Sequence, residues 1–109
     1  MKSIALISAA AALVALGTPA MAKDYEAGKK KAQEVCAACH GEDGNKGLTP
    51  DTPHLGGQYY DYLVHALEQY KSGKRQNPLM SPMAQPLTGE DIANVAYYFS
   101  KQKGLQVKY

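Results

Sequence analysis

Two cysteines and a histidine fall within five residues of one another, as Cys36-Ala37-Ala38-Cys39-His40. C-x-x-C-H is the attachment signature of c-type haem. Two thiols add across the vinyl groups of the macrocycle, and the adjacent imidazole reaches the iron from the proximal side. One short turn must put both sulfurs at the edge of the ring and the imidazole over its centre, which is why the spacing is so tight. The other iron face needs a second donor. Met80, Met83, His54 and His65 are the candidates. A thioether there closes the site and raises the potential, whereas an open position favours gas binding or peroxide chemistry. Met80 and Met83 share the stiff segment Leu79-Met80-Ser81-Pro82-Met83, and their spacing does not choose between them. His54 reads as a loop surface residue. His65 lies one position off an apolar stripe and reads as exposed.

The chain opens with Lys2, an apolar run from Ile4 to Leu16, and the small-x-small sequence Ala20-Met21-Ala22. This pattern predicts a cleaved secretory signal over residues 1–22, a mature start at Lys23 and a periplasmic address. The run is short of the roughly 20 residues a membrane span needs, so no span is expected in the mature chain. Removing 22 of 109 residues leaves 87, which is one small domain over 23–109. Cysteines three apart close no large loop, and a core of this size is marginal without a staple. With no Trp and one Phe, the chain is short of large apolar side chains, a deficit that one buried haem would fill. Without Lys2 the chain carries 11 basic and 10 acidic residues, which argues against a nucleic-acid partner.

Three helices position these groups. The first is expected from about Tyr25 to Cys39, with Ala27, Gly28, Ala32 and Val35 on one face. Gly28 costs about 1 kcal/mol against Ala inside a helix, which implies a close crossing there. The second runs from about Tyr59 to Lys71 on a Leu63, Leu67, Tyr70 stripe. The third opens at Thr88, with Asp91 as its capping-box partner, carries Ile92, Val95, Ala96 and Phe99, and frays near Gly104. Residues 41–57 and 72–87 read as loops, punctuated by glycines and by Pro78, Pro82 and Pro86. No strand pattern occurs, so the fold class is all-α. Lys71, Lys74 and Arg75 read either as a docking face for an acidic partner or as an ordinary solvated turn. The stretch from Gln58 to Tyr62 reads as either a dimer surface or a surface that packs a haem propionate and the helix.

These motifs together resemble the class I c-type cytochromes, most closely the bacterial single-haem c-553 proteins and one half of the dihaem cytochrome c-four family. The resemblance rests on Gly28 eight residues before Cys36, on Cys36-x-x-Cys39-His40-Gly41-x-Asp43-Gly44-Asn45, and on Pro53-x-Leu55-x-Gly57-Gln58. Gly73-x-Arg75, Met80-x-x-Met83-Ala84-x-x-Leu87-Thr88 and the Ala96-Tyr97-Tyr98-Phe99 ending extend it over the mature chain. It implies a small fold of three to four helices wrapped around one covalent haem, held by Cys36 and Cys39. It implies His40 and Met80 as axial ligands, with Met83 the second choice and otherwise a packing residue. Pro53 is implied to accept a hydrogen bond from His40, and Gly28 and Ala32 to cross the last helix through Val95 and Tyr98. Ala32 departs from the aromatic many relatives carry. The implied role is one-electron transfer between redox-partner proteins, by a monomer or weak homodimer and not an enzyme. The alternative is a haem-bearing subunit of a periplasmic oxidoreductase complex. A thiol–disulfide oxidoreductase using Cys36 and Cys39 would need strand–helix alternation, and a zinc site would need more ligands.

Overall fold

A computed structural model describes residues 23–104; the predicted signal lies outside them. Five helices follow in order: α1 (Tyr25–Val35), α2 (Ala37–His40), α3 (Tyr60–Ser72), α4 (Met80–Ala84) and α5 (Gly89–Ser100). Among the described residues there is no strand, as the all-α reading requires. α1 crosses α5, α3 packs on α5, and α4 sits against α3. Ala32, Leu63, Val95, Ala96, Tyr98 and Phe99 form the centre where these helices meet.

The α1/α5 crossing depends on Gly28. A Cβ there would stand 2.0 Å from the Asn94 carbonyl oxygen and 3.1 Å from Tyr98 Cβ. Only a residue without a side chain lets the two backbones approach so closely. The contact point is Asn94 and Tyr98, one position from the expected Val95. Ala32 is fully buried beside it, and Ala27 is exposed rather than on the packed face. Asn94, itself buried, accepts a hydrogen bond from the Asp24 N–H at 3.0 Å through Oδ1. Asp24 in turn caps α1 by accepting from the Ala27 N–H.

α5 starts as its sequence implies. Thr88 Oγ1 accepts from the Asp91 N–H, and Asp91 Oδ2 accepts from the Thr88 N–H, both at 3.0 Å. It ends at Ser100, one turn before the expected Gly104. The first helix is also shorter than expected, because the chain breaks at Cys36 and restarts as α2. The largest difference is α4, which lies inside the segment expected to be a loop. Pro82 is tolerated there because it falls in the first turn, where a backbone N–H has no helical partner to lose.

Candidate functional site: a c-type haem attachment centre

Cys36 is both the end of α1 and the start of α2. Its carbonyl accepts from the Cys39 N–H at 3.2 Å and the His40 N–H at 3.0 Å. That single turn carries both thiols and the imidazole on one rigid unit. Gly41 then ends α2 with φ 86°, a left-handed value that glycine adopts without penalty. A Cβ there would also meet the Lys46 backbone nitrogen at 2.9 Å. The following loop is strapped back on the turn, since Lys46 N–H donates to His40 O and Leu48 N–H donates to Cys39 O.

A second strap sets Pro53. Leu55 N–H donates to Gly44 O at 2.8 Å, and Gly57 N–H donates to Phe99 O at 2.9 Å, tying the loop to α5. Tyr98 adds another tie, its hydroxyl donating to the Glu42 carbonyl at 2.7 Å. The result brings the Pro53 carbonyl to 3.0 Å from His40 Nδ1. A carbonyl can only accept, so Nδ1 carries the proton and, in the neutral ring, Nε2 keeps its lone pair. His40 is buried, which fixes the ring plane as well as the tautomer. The imidazole is therefore prepared as a metal donor, and its partner strengthens that donation.

The thiols are free of one another. Cys36 packs against the core, while Cys39 is exposed. Burial pushes the Cys36 thiol up to about 11. A redox-active C-x-x-C needs the opposite shift, toward thiolate at neutral pH. That chemistry and the lack of strands among the described residues count against the oxidoreductase reading. Among the described residues no three His, Cys, Asp or Glu gather to hold a bare metal ion. The turn instead offers two uncrosslinked thiols and one oriented imidazole, which suits covalent attachment of a macrocycle with its own metal.

Met80 opens α4 and is half-buried; Met83, one turn later, is 41% exposed. The turn before Met80 is organised by Asn77, whose Oδ1 accepts from the N–H of both Leu79 and Met80 at 2.9 Å. Ser81 Oγ answers by accepting from the Asn77 N–H at 3.0 Å. Neither Asn77 nor Ser81 stood out in the sequence reading. The signal was present in Asn77-Pro78, a turn-forming pair whose Asn side chain can accept from backbone N–H groups two and three residues on. His54 and His65 are both exposed, in the Pro53 loop and on α3.

Lys71 does not belong to a free basic face. Its ammonium donates to the Gln85 carbonyl at 2.9 Å and to the Leu87 carbonyl, while Gln85 Nε2 donates back to Lys71 O at 2.7 Å. It ties the end of α3 to the connection between α4 and α5.

The cytochrome c family model matches residues 25–103, the attachment turn and the Met80 helix included. The chain belongs to the cytochrome c family. Cytochrome c-554(548) of Halomonas halodenitrificans is 46% identical over 85 residues, covering 75% of this chain and the whole of that protein. The solved structure of reduced cytochrome c4 from Pseudomonas stutzeri superposes with a TM-score of 0.70 at 41% identity. It covers 77% of this chain and 48% of that one. The chain spans about half the length of the cytochrome c4 relatives it matches. The thiosulfate dehydrogenase electron acceptor of Thiomonas intermedia is 38% identical over 68 residues, which is 62% of this chain and 31% of that protein.

Proposed function

We propose that this cytochrome is a periplasmic, single-haem, one-electron carrier whose iron is held between His40 and Met80. Bound haem c supplies the Fe(III)/Fe(II) couple; the protein supplies attachment, orientation and a closed site. Cys36 and Cys39 form the two thioether links. His40 presents Nε2, held by the Pro53 carbonyl. Met80 presents its thioether from a helix start that Asn77 and Ser81 fix in place. Rigid donors on both sides keep reorganisation small on electron gain and loss, which favours rapid outer-sphere transfer. One C-x-x-C-H in the sequence gives one haem. Residues 1–22 serve as the export signal, because covalent attachment takes place outside the bacterial cytoplasm; intact mass of the exported protein would then start at Lys23.

The observation that carries this reading is the 3.0 Å contact between His40 Nδ1 and Pro53 O, which leaves Nε2 as the metal donor. The deciding experiment is the ferric absorption spectrum of the haem-matured protein. A weak far-red sulfur–iron band is expected, lost in Met80→Ala and kept in Met83→Ala. Loss only with Met83→Ala transfers the ligand to Met83. A high-spin spectrum without the band, with carbon monoxide binding to the reduced protein, means an open iron instead.

The relative named as a thiosulfate dehydrogenase electron acceptor favours a second reading, in which this cytochrome draws electrons from a dehydrogenase as its associated subunit. The local chemistry is the same. Stable co-purification with a second chain distinguishes the subunit from a free carrier.

A further inference from the structure

α4, the helix that carries Met80, is thinly buried. Ala84 is its one buried residue; Met80 and Ser81 are half-buried, and Pro82 and Met83 are exposed. Apolar burial therefore does little to fix its position, and a short segment with few buried contacts opens more easily than the core beside it. Asn77 and Ser81 hold its start. Its end is held from α3. Lys71, in the last turn of α3, donates from its ammonium to the Gln85 carbonyl at 2.9 Å and to the Leu87 carbonyl. Gln85 Nε2 returns a bond to the Lys71 carbonyl at 2.7 Å, one of those that a helix end leaves without a partner. Leu87 N–H donates to Ala84 O at 3.1 Å, so both carbonyls gripped by Lys71 belong to the closed turn that joins α4 to α5. Leu87 is itself buried, one residue before the capping box of α5.

Among the described residues the only ion pair is Lys31 with Glu34, so the charge of Lys71 is met by main-chain oxygens. Such acceptors move only with the backbone, and the contact therefore fixes where the chain runs. α4 is five residues long, about 7.5 Å at the usual helical rise, so a shift at its end is passed on to its start. We propose that Lys71 is a positioning residue for Met80: its ammonium clamps the α4–α5 turn to the end of α3 and thereby keeps the thioether on the iron. This rests on the His40/Met80 reading above. Opening the clamp frees α4 to swing outward while the other helices keep their packing. The central cluster of Ala32, Leu63, Val95, Ala96, Tyr98 and Phe99 includes no residue of α4. Lys71 thus acts on the ligand bond more than on the fold.

The test is an imidazole titration of the ferric, haem-matured protein, followed by loss of the far-red sulfur–iron band. Imidazole takes the iron only when Met80 has left it, so its apparent affinity scales with the detached fraction. A hydrogen bond to a charged group shifts such an equilibrium by about tenfold. Lys71→Met keeps the apolar stem without a donor, and is expected to bind imidazole about tenfold more tightly than the parent. Lys71→Arg keeps the donors and should recover most of the difference. Lys74→Met removes an exposed charge from the next turn and should leave the affinity unchanged. If Lys71→Met does not mature with haem, Lys71→Gln carries the same expectation. Denaturant unfolding of each sample is followed by both the band and far-ultraviolet circular dichroism. In Lys71→Met the band should disappear before the helix signal. No band in the parent, or a band that survives Met80→Ala, overturns the ligand reading and this proposal with it. A band in the parent and unchanged imidazole affinity in Lys71→Met overturn this proposal alone. Equal tightening in Lys74→Met overturns it too, because charge rather than the clamp is then responsible. Band and helix signal lost together in Lys71→Met also overturn it, and leave Lys71 a general structural role.

Discussion

Gly28→Ala is the most severe small change this fold can be given. The added methyl would sit 2.0 Å from Asn94 O and 2.6 Å from Asn94 C, whereas ordinary contact begins near 3.4 Å. Relieving the overlap requires α1 and α5 to separate by about 1.4 Å at their closest point. The atoms it meets are backbone, so no side-chain rotation absorbs the strain. Overpacking of this kind costs roughly 1–3 kcal/mol. Separation also threatens the Asp24 N–H to Asn94 Oδ1 bond, worth about 1 kcal/mol, and leaves the buried Asn94 amide short of a partner. Against these stands the intrinsic gain of Ala over Gly in a helix, about 1 kcal/mol. The balance is a loss of about 2 kcal/mol, which lowers the melting temperature of a domain this size by on the order of 10 °C. Denaturant unfolding of the haem-matured protein, followed by far-ultraviolet circular dichroism, measures it. Lys30→Ala, on the exposed side of α1, is the control and should stay within about 0.5 kcal/mol. A Gly28→Ala protein as stable as the parent, or more so, would refute the claim that the glycine is there for backbone approach.

Two further outcomes are expected. Asn77→Ala removes the acceptor for the Leu79 and Met80 N–H groups and should destabilise the start of α4 by about 1 kcal/mol. Its specific mark is earlier loss of the far-red sulfur–iron band on warming or on raising pH; a band as persistent as the parent's would show that Asn77 does not hold Met80. Tyr98 is held above its ordinary pKa, first by burial and then by Tyr25, Asp43 and Glu42. A raised folded-state pKa means its contribution is complete below about pH 10 and is lost as pH rises through the folded value. Tyr98→Phe, which also deletes the bond to Glu42 O, should cost about 1 kcal/mol at neutral pH and flatten the alkaline end of the stability profile. An unchanged alkaline slope would show that another group drives it.

The extent to which the chain could be read from its residues follows from the range of each interaction. C-x-x-C-H, the Thr88/Asp91 capping box and the Ile92, Val95, Ala96, Phe99 stripe are local patterns. Their physics is complete within one or two helical turns, and the two elements they imply, the attachment turn and α5, are both present. Gly28 announced a close crossing, because an unfavourable residue inside a helix needs a reason. Its partner, Asn94, could not be named, since a polar residue amid an apolar stripe looks like a defect until Asp24 arrives from 70 residues away. α4 was misread because Pro78, Pro82 and Pro86 were weighed as breakers, although a proline in a first turn breaks nothing.

Lys71 shows the same division. In sequence it is one of three basic residues near a turn; in the fold its ammonium is spent on two carbonyls 14 and 16 residues away. The sequence by itself determined the chemistry of the attachment turn, because two thiols and an imidazole at that spacing need no distant partner to be placed together. The local residues leave the two nitrogens of His40 equivalent; the fold sets them apart through a Pro53 carbonyl 13 residues downstream, as the family resemblance implied. A covalent motif is written in consecutive residues, whereas tautomers and charge partners are set by whichever backbone the fold brings within about 3 Å.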